Sequence, residues 1–203
     1  MASALFGVDY KLRWADFQSV ATPPAGAPAG ATAETRTGTT VLGVNIDLVW
    51  QGTPQIYRIR DTLVVRVFVR PDSWRLTSLS TASGRDQVRL IKHEQGHYDI
   101  DALLARDFYQ RIRSMMGQPF TDPADAREQM EDHHEATIGR ADALNHDYDA
   151  DTRNGEDGVE QWSWWCAIER ARQLHRSPQA RDAGGRLLKV ELVDALRSSG
   201  LAN

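Results

Sequence analysis

One cysteine in 203 residues, no surplus of positive charge and no apolar run of membrane-spanning length are the first things this chain lacks. Cys166, being alone, excludes an intramolecular disulfide and a cysteine-rich zinc site, so any metal must be held by histidines and carboxylates. With 24 Lys and Arg against 28 Asp and Glu, and a formal net charge of −4, there is no basic footprint for nucleic acid or an anionic membrane surface. The first ten residues have neither a basic n-region nor the apolar run of a signal peptide, which predicts a cytoplasmic protein, and no later segment approaches a membrane span.

What is present is 41% hydrophobic and 26% charged residue, the make-up of a globular chain with one substantial core. Val8, Tyr10, Leu12 and Trp14 alternate as in a half-buried strand reaching to Val20. The Pro-, Gly- and Ala/Thr-rich stretch 21–38 reads as a surface connection. Leu42, Val44, Ile46, Leu48 and Trp50 alternate next, and 57–60 and 63–69 add β-branched runs. After Trp74 the period becomes helical. Thr81 or Ser83 can cap a helix that runs to about Met116, where Gly117-Gln118-Pro119 stops it, and Thr121-Asp122-Pro123 starts a second. A third begins after Gly158, with Val159, Trp162, Trp165, Ile168 and Ala171 as its expected core stripe. The prediction is an α+β fold: an N-terminal antiparallel sheet of three to four strands, then a zincin-like helical part. It forms a single domain over 1–203, with 1–74 mainly strands, 75–175 helices with the metal site and 176–203 a C-terminal extension, in which 187–196 could form a short closing helix or strand.

Within the first helix lies His93-Glu94-Gln95-Gly96-His97. Residues four apart on a helix lie roughly 40° from one another, so His93 and His97 can address one ion while Glu94 stands beside them as a general base. Imidazole nitrogen suits Zn²⁺, which lowers the pKa of a bound water to about 7. Val88, Ile91, Ile100, Leu104, Phe108 and Ile112 recur at three- and four-residue steps, which predicts one inward stripe on the histidines' side. A catalytic zinc needs a third protein ligand. Ile100 and Leu103 stand where a metzincin would have glycine and histidine. From His97 to Met116 is roughly 28 Å of helix, and an antiparallel second helix regains the level of His93 and His97 between about residues 141 and 145. His146 and Asp149 are therefore the favoured donors, and His133 and His134 should lie roughly 10 Å or more away, as solvated helix residues.

Trp14-Ala15-Asp16-Phe17 before a Pro-Pro loop, Asp72-Ser73-Trp74, His93-Glu94-Gln95-Gly96-His97-Tyr98-Asp99-Ile100, and Tyr148-Asp149-Ala150-Asp151-Thr152 followed by Gln161-Trp162 resemble a bacterial family of predicted secreted zinc-dependent proteases, over roughly Tyr10 to Arg172. The resemblance implies that the Tyr148-Asp149 segment belongs to the active site, which favours Asp149 as third ligand, and it implies a secreted or periplasmic location as the alternative. The family pattern ends Thr-x-His-Gly, whereas this chain has Thr152-Arg153-Asn154-Gly155. The expected function is a zinc peptidase acting on a peptide or protein substrate, which a sheet edge could bind by strand addition. Glu94 is the base, Tyr148 or Asn154 stabilises the oxyanion, and Asp99 orients a ligand imidazole. The rival is a non-catalytic module that binds a protein partner. Glu94 argues against it and Asn154 for it; no pattern specifies an oligomeric state.

Overall fold

The computed structural model describes residues 2–173. The expected C-terminal extension, with its closing element at 187–196, lies outside them. Eight short strands come first: β1 (Ala4–Phe6), β2 (Gln18–Val20), β3 (Ala33–Glu34), β4 (Thr37–Leu42), β5 (Ile46–Trp50), β6 (Ile56–Ile59), β7 (Val64–Val69) and β8 (Trp74–Leu76). Three helices follow, α1 (Gly84–Met115), α2 (Pro123–Thr152) and α3 (Gly158–Gln173), so the arrangement is α+β with strands leading.

The strands do not form one antiparallel sheet. They form β1-β7-β4 and β2-β8-β3, each with one parallel and one antiparallel pairing, and an antiparallel β5-β6 pair. The division has a local cause. Between β3 and β4 the Arg36 backbone N–H donates to Ser73 Oγ (2.9 Å), and Ser73 Oγ donates back to the Arg36 carbonyl (3.1 Å), so both chains turn the same corner. Asp72 holds the Arg36 and Arg70 guanidiniums there, and Trp74 Nε1 donates to Glu34 Oε2 at 2.7 Å. The alternation from Leu42 to Trp50 conceals a second break. Gly43 has φ +74°, and a side chain on it would meet the Thr62 carbonyl, so β4 ends and β5 begins. Val8–Val20 is likewise not one strand. Gly7 turns the chain at φ +89°, and Asp16 accepts from the Arg13 N–H (2.7 Å) and the Tyr10 hydroxyl (2.9 Å), which closes a short 3₁₀ turn at Trp14–Asp16. Nor is 21–38 merely a surface connection, since it contains β3, the start of β4 and the buried Ala33.

Both long helices begin as their sequences predict. Ser83 Oγ accepts from the Asp86 N–H, and Asp122 from the Ala124 N–H with Pro123 in the first turn. Tyr57 and Phe120 exchange backbone hydrogen bonds of 2.8 and 2.9 Å, which ties the α1–α2 connection to β6. Between Tyr98 and Tyr109, ten of twelve α1 residues are buried, too many for one apolar face. Tyr98, Ala102, Ala105, Phe108, Tyr109 and Ile112 pack with Val65 and Val67 of β7; Ile100, Leu103 and Leu104 pack with Leu144 and Tyr148 of α2 and Trp164 and Ile168 of α3. The expected stripe is therefore divided between two cores, and Val88 is exposed. On α3 the buried face is Trp164, Ile168 and Ala171; Trp162 and Trp165 stack on each other at the surface, 4.8 Å between centroids, and Val159 is exposed too. Ile168 and Ala171 of the expected α3 stripe are buried, but Val159, Trp162 and Trp165 are not, because Trp164, whose Nε1 donates to Asp151 (3.0 Å), takes the inward position.

Candidate metal centre

Where α1 passes α2, three side chains converge. His93 and His97 project from successive turns of α1 and Asp149 from the last turns of α2, with one ligand atom of each within 4.8 Å of the others. His93 Nε2 is 3.1 Å and His97 Nε2 2.9 Å from Asp149 Oδ1, and the two Nε2 atoms are 3.3 Å apart. Ligands about 2.0–2.1 Å from a tetrahedral ion are separated by about 3.3 Å, so these atoms, now at hydrogen-bond distances of 2.9 to 3.3 Å, would need to part only slightly to hold one. His146 is exposed and outside the cluster, which leaves Asp149 of the two favoured donors. His133 and His134 are outside the cluster, but they are half-buried and not solvated: His133 accepts from Arg111 and His134 packs on Phe108.

Charge binds the cluster even without an ion. Burial disfavours the His97 cation, but the hydrogen bond and charge of Asp149, with Glu94 adding, outweigh it and raise its pKa to about 9. Burial works against the Asp149 carboxylate too, yet hydrogen bonds from His93 and His97 hold it well below the usual range.

Tyr148 lies behind the imidazoles, not in the cleft. Its ring stacks on His93 at 4.8 Å and 14°, and its buried hydroxyl donates to the His93 carbonyl at 3.2 Å. Burial raises its pKa, with Glu94 and Asp149 adding to the shift, so the donor proton stays. A Cβ on Gly96 would stand 2.3 Å from that hydroxyl, which explains the glycine inside the motif. After α2 the chain takes three left-handed residues, Arg153 (φ 49°), Asn154 (φ 52°) and Gly155 (φ 81°), and the Asn154 N–H donates to the Asp149 carbonyl (3.0 Å). A Cβ on Gly155 would fall 2.9 Å from His93 Cβ and Cγ, so the turn lies against that ligand.

Glu94 is buried beside the His93–His97–Asp149 cluster, and the Thr35 N–H donates to its Oε2 at 2.7 Å. The corner at Arg36 and Ser73 puts Thr35 there, and composition gives no hint of it. His93, Glu94, His97, Asp149 and Asn154 open on a cleft of about 550 Å³, one wall of which is the segment 28–35. Asp99 is not at either imidazole. It is buried on the opposite side, accepts from Gln95 Nε2 (2.8 Å) and pairs with Arg172 of α3 (3.0 Å). The groups that do meet the imidazoles come from α2: His97 Nδ1 is 2.7 Å from Asn145 Oδ1, and His93 Nδ1 is 3.4 Å from Thr152 Oγ1.

The sequence profile of a family described as "Bacterial protein of unknown function (DUF922)" matches residues 26–156, more than half of the chain and including all three donors and Glu94. No curated protein matches the chain, and no solved structure does.

Proposed function

The chain belongs to that bacterial family of unknown function, and we propose that it is a zinc-dependent peptidase of zincin-like construction. The observation that carries the reading is the convergence of His93, His97 and Asp149 at close to tetrahedral spacing with Glu94 at the same cleft. Two neutral imidazoles and one carboxylate suit zinc and leave a fourth position for water or substrate. Zinc held there would polarise the scissile carbonyl and bring the pKa of water to about 7.

This chain's own residues do the rest. Thr35 fixes one Glu94 oxygen, and the other accepts the proton of the attacking water. As the water oxygen bonds to the carbonyl carbon and the C–N bond breaks, Glu94 returns that proton to the leaving amine. Asn154 lines the cleft and its amide N–H would serve the oxyanion, whereas Tyr148, facing away, orients His93 instead. Among the described residues β3 pairs with β8 alone and so is an edge of its sheet, and with the residues before it lines the cleft; an extended peptide can be held there by its backbone.

Metal analysis of the purified protein, with a peptide-library cleavage assay of wild type and Glu94→Gln, tests the reading. Zinc in both with cleavage by wild type only is the expected result. Stoichiometric zinc with no cleavage by either refutes the peptidase and favours the partner-binding module, for which Asn154, standing where the pattern that the sequence resembles has histidine, is the supporting feature.

A further inference from the structure

His97 and Asp149 are not the only residues that face one another across α1 and α2. Asp101 lies four residues after His97, and Asn145 four residues before Asp149. Since α1 and α2 run antiparallel, these two form the next rung of the same ladder. Asn145 Nδ2 donates to Asp101 Oδ1 at 2.7 Å, and Asn145 Oδ1 meets His97 Nδ1 at 2.7 Å.

The direction of each bond follows from the last acceptor. The Asn145 NH₂ is the end of the amide that faces the Asp101 carboxyl oxygen. The amide oxygen then faces His97, and the imidazole must carry its proton on Nδ1. Once the Nε2 proton shared with Asp149 has left, that tautomer directs the Nε2 lone pair toward Asp149 and His93, where an ion would sit. A carboxylate directly against the imidazole would add charge beside the ligands; the intervening amide transmits orientation and keeps the charge one residue away.

We propose that Asn145, held by Asp101, is a positioning residue that fixes the ring and tautomer of His97 for the metal, an inference that rests on the metal reading above. The two residues lie on the helices that carry the ligands, so the relay also sets the register between α1 and α2 at the site.

The test compares full-length wild type, Asn145→Leu, Asp101→Ala and the exchange Asn145→Asp with Asp101→Asn. Zinc affinity is read by competition with a chromophoric chelator, and folding by the urea midpoint in excess chelator. Asn145→Leu is expected to bind zinc about 10–100-fold more weakly, the usual cost of losing a group that orients a ligand. Asp101→Ala is expected to lose part of that. The exchanged pair recovers affinity over both single variants, because a carboxylate at 145 still accepts from His97 and an amide at 101 can donate to it. If Asn145→Leu does not fold, the exchange against Asp101→Ala decides. Zinc bound equally by wild type and all folded variants, or an exchange no better than Asp101→Ala, overturns the relay and leaves the metal reading standing. A wild type that takes up no zinc overturns both.

Discussion

Replacing Gly96 by alanine puts a single methyl group into the tightest place beneath the ligands. Its Cβ would lie 2.3 Å from Tyr148 Oη, 2.4 Å from Cζ and 2.8 Å from Cε1. The ring cannot step aside, because it stacks on His93 on one side and meets Trp164 edge-on at 5.4 Å on another. Helix propensity favours alanine by about 1 kcal/mol. Overpacking of a buried site costs about 1–3 kcal/mol, and loss of the Tyr148 hydrogen bond to the His93 carbonyl about 0.5–1.5 kcal/mol. The net expectation is destabilisation by about 1–3 kcal/mol. Asp149 follows Tyr148 on α2, so moving the tyrosine moves the third donor, and zinc affinity should fall about 10–100-fold. Gly139→Ala is the control. It sits in exposed α2 with nothing within 4 Å of a Cβ, and should gain up to about 1 kcal/mol. Urea unfolding in chelator and zinc competition measure both. A Gly96→Ala protein as stable as Gly139→Ala and equal to wild type in zinc affinity would refute the argument that this close approach shapes the site.

Four further outcomes are expected. Asp149→Ala should abolish stoichiometric zinc binding while His146→Ala leaves it unchanged, measured by metal analysis after dialysis. In the metal-free protein the His97–Asp149 pair should stabilise the fold most between pH 4 and 6.5. His97 is raised from 6.5 to about 9, so its contribution is complete below pH 6.5 and lost as pH rises through 9; Asp149 is lowered from 3.8, so its contribution is lost as pH falls through that depressed value. Zinc affinity should run the other way, rising about tenfold per pH unit between 6.5 and 9 as His97 gives up its proton. A pH-independent zinc affinity over that range would contradict the pairing. Asp99→Ala should cost about 1–3 kcal/mol by removing the buried partner of Arg172, which keeps Asp9 and Glu169, yet spare zinc affinity; a metal defect there would return Asp99 to the site.

The helices were legible because their ends carry explicit signals, Ser83 for α1 and Asp122-Pro123 for α2; the reach of an antiparallel pair pointed to about residues 141–145 at the histidines' level, about one turn short of Asp149. The sheet was less legible. Side-chain alternation tells which face a residue takes but nothing of where a corner interrupts the ladder, and Ser73 and Gly43 make corners through contacts some 20 to 40 residues away. The same limit hid Thr35, whose contribution to Glu94 is a backbone N–H that every non-proline residue possesses. Asp99 attracted attention for its nearness to His97 in sequence, but two residues on a helix are about 200° apart, and Asp101, at 40°, is the carboxylate on the ligand face. On α3 any of several stripes fits the three closely spaced tryptophans, and only the packing against Tyr148 selects Trp164.

The separation of the donors along the chain has a consequence for the unfolded protein. His93 and His97 stand 56 and 52 residues before Asp149, and that interval holds the rest of α1, the connection and nearly all of α2. An ion gripping both ends would be a cross-link closing a loop of that size, and on the chain-entropy scale used for disulfides such a closure removes roughly 4 kcal/mol of unfolded-state freedom. A chain with a single cysteine has no covalent staple of its own, so the helical hairpin would acquire one only when loaded. Chelation would then act on this protein much as a reductant acts on a disulfide-bonded one.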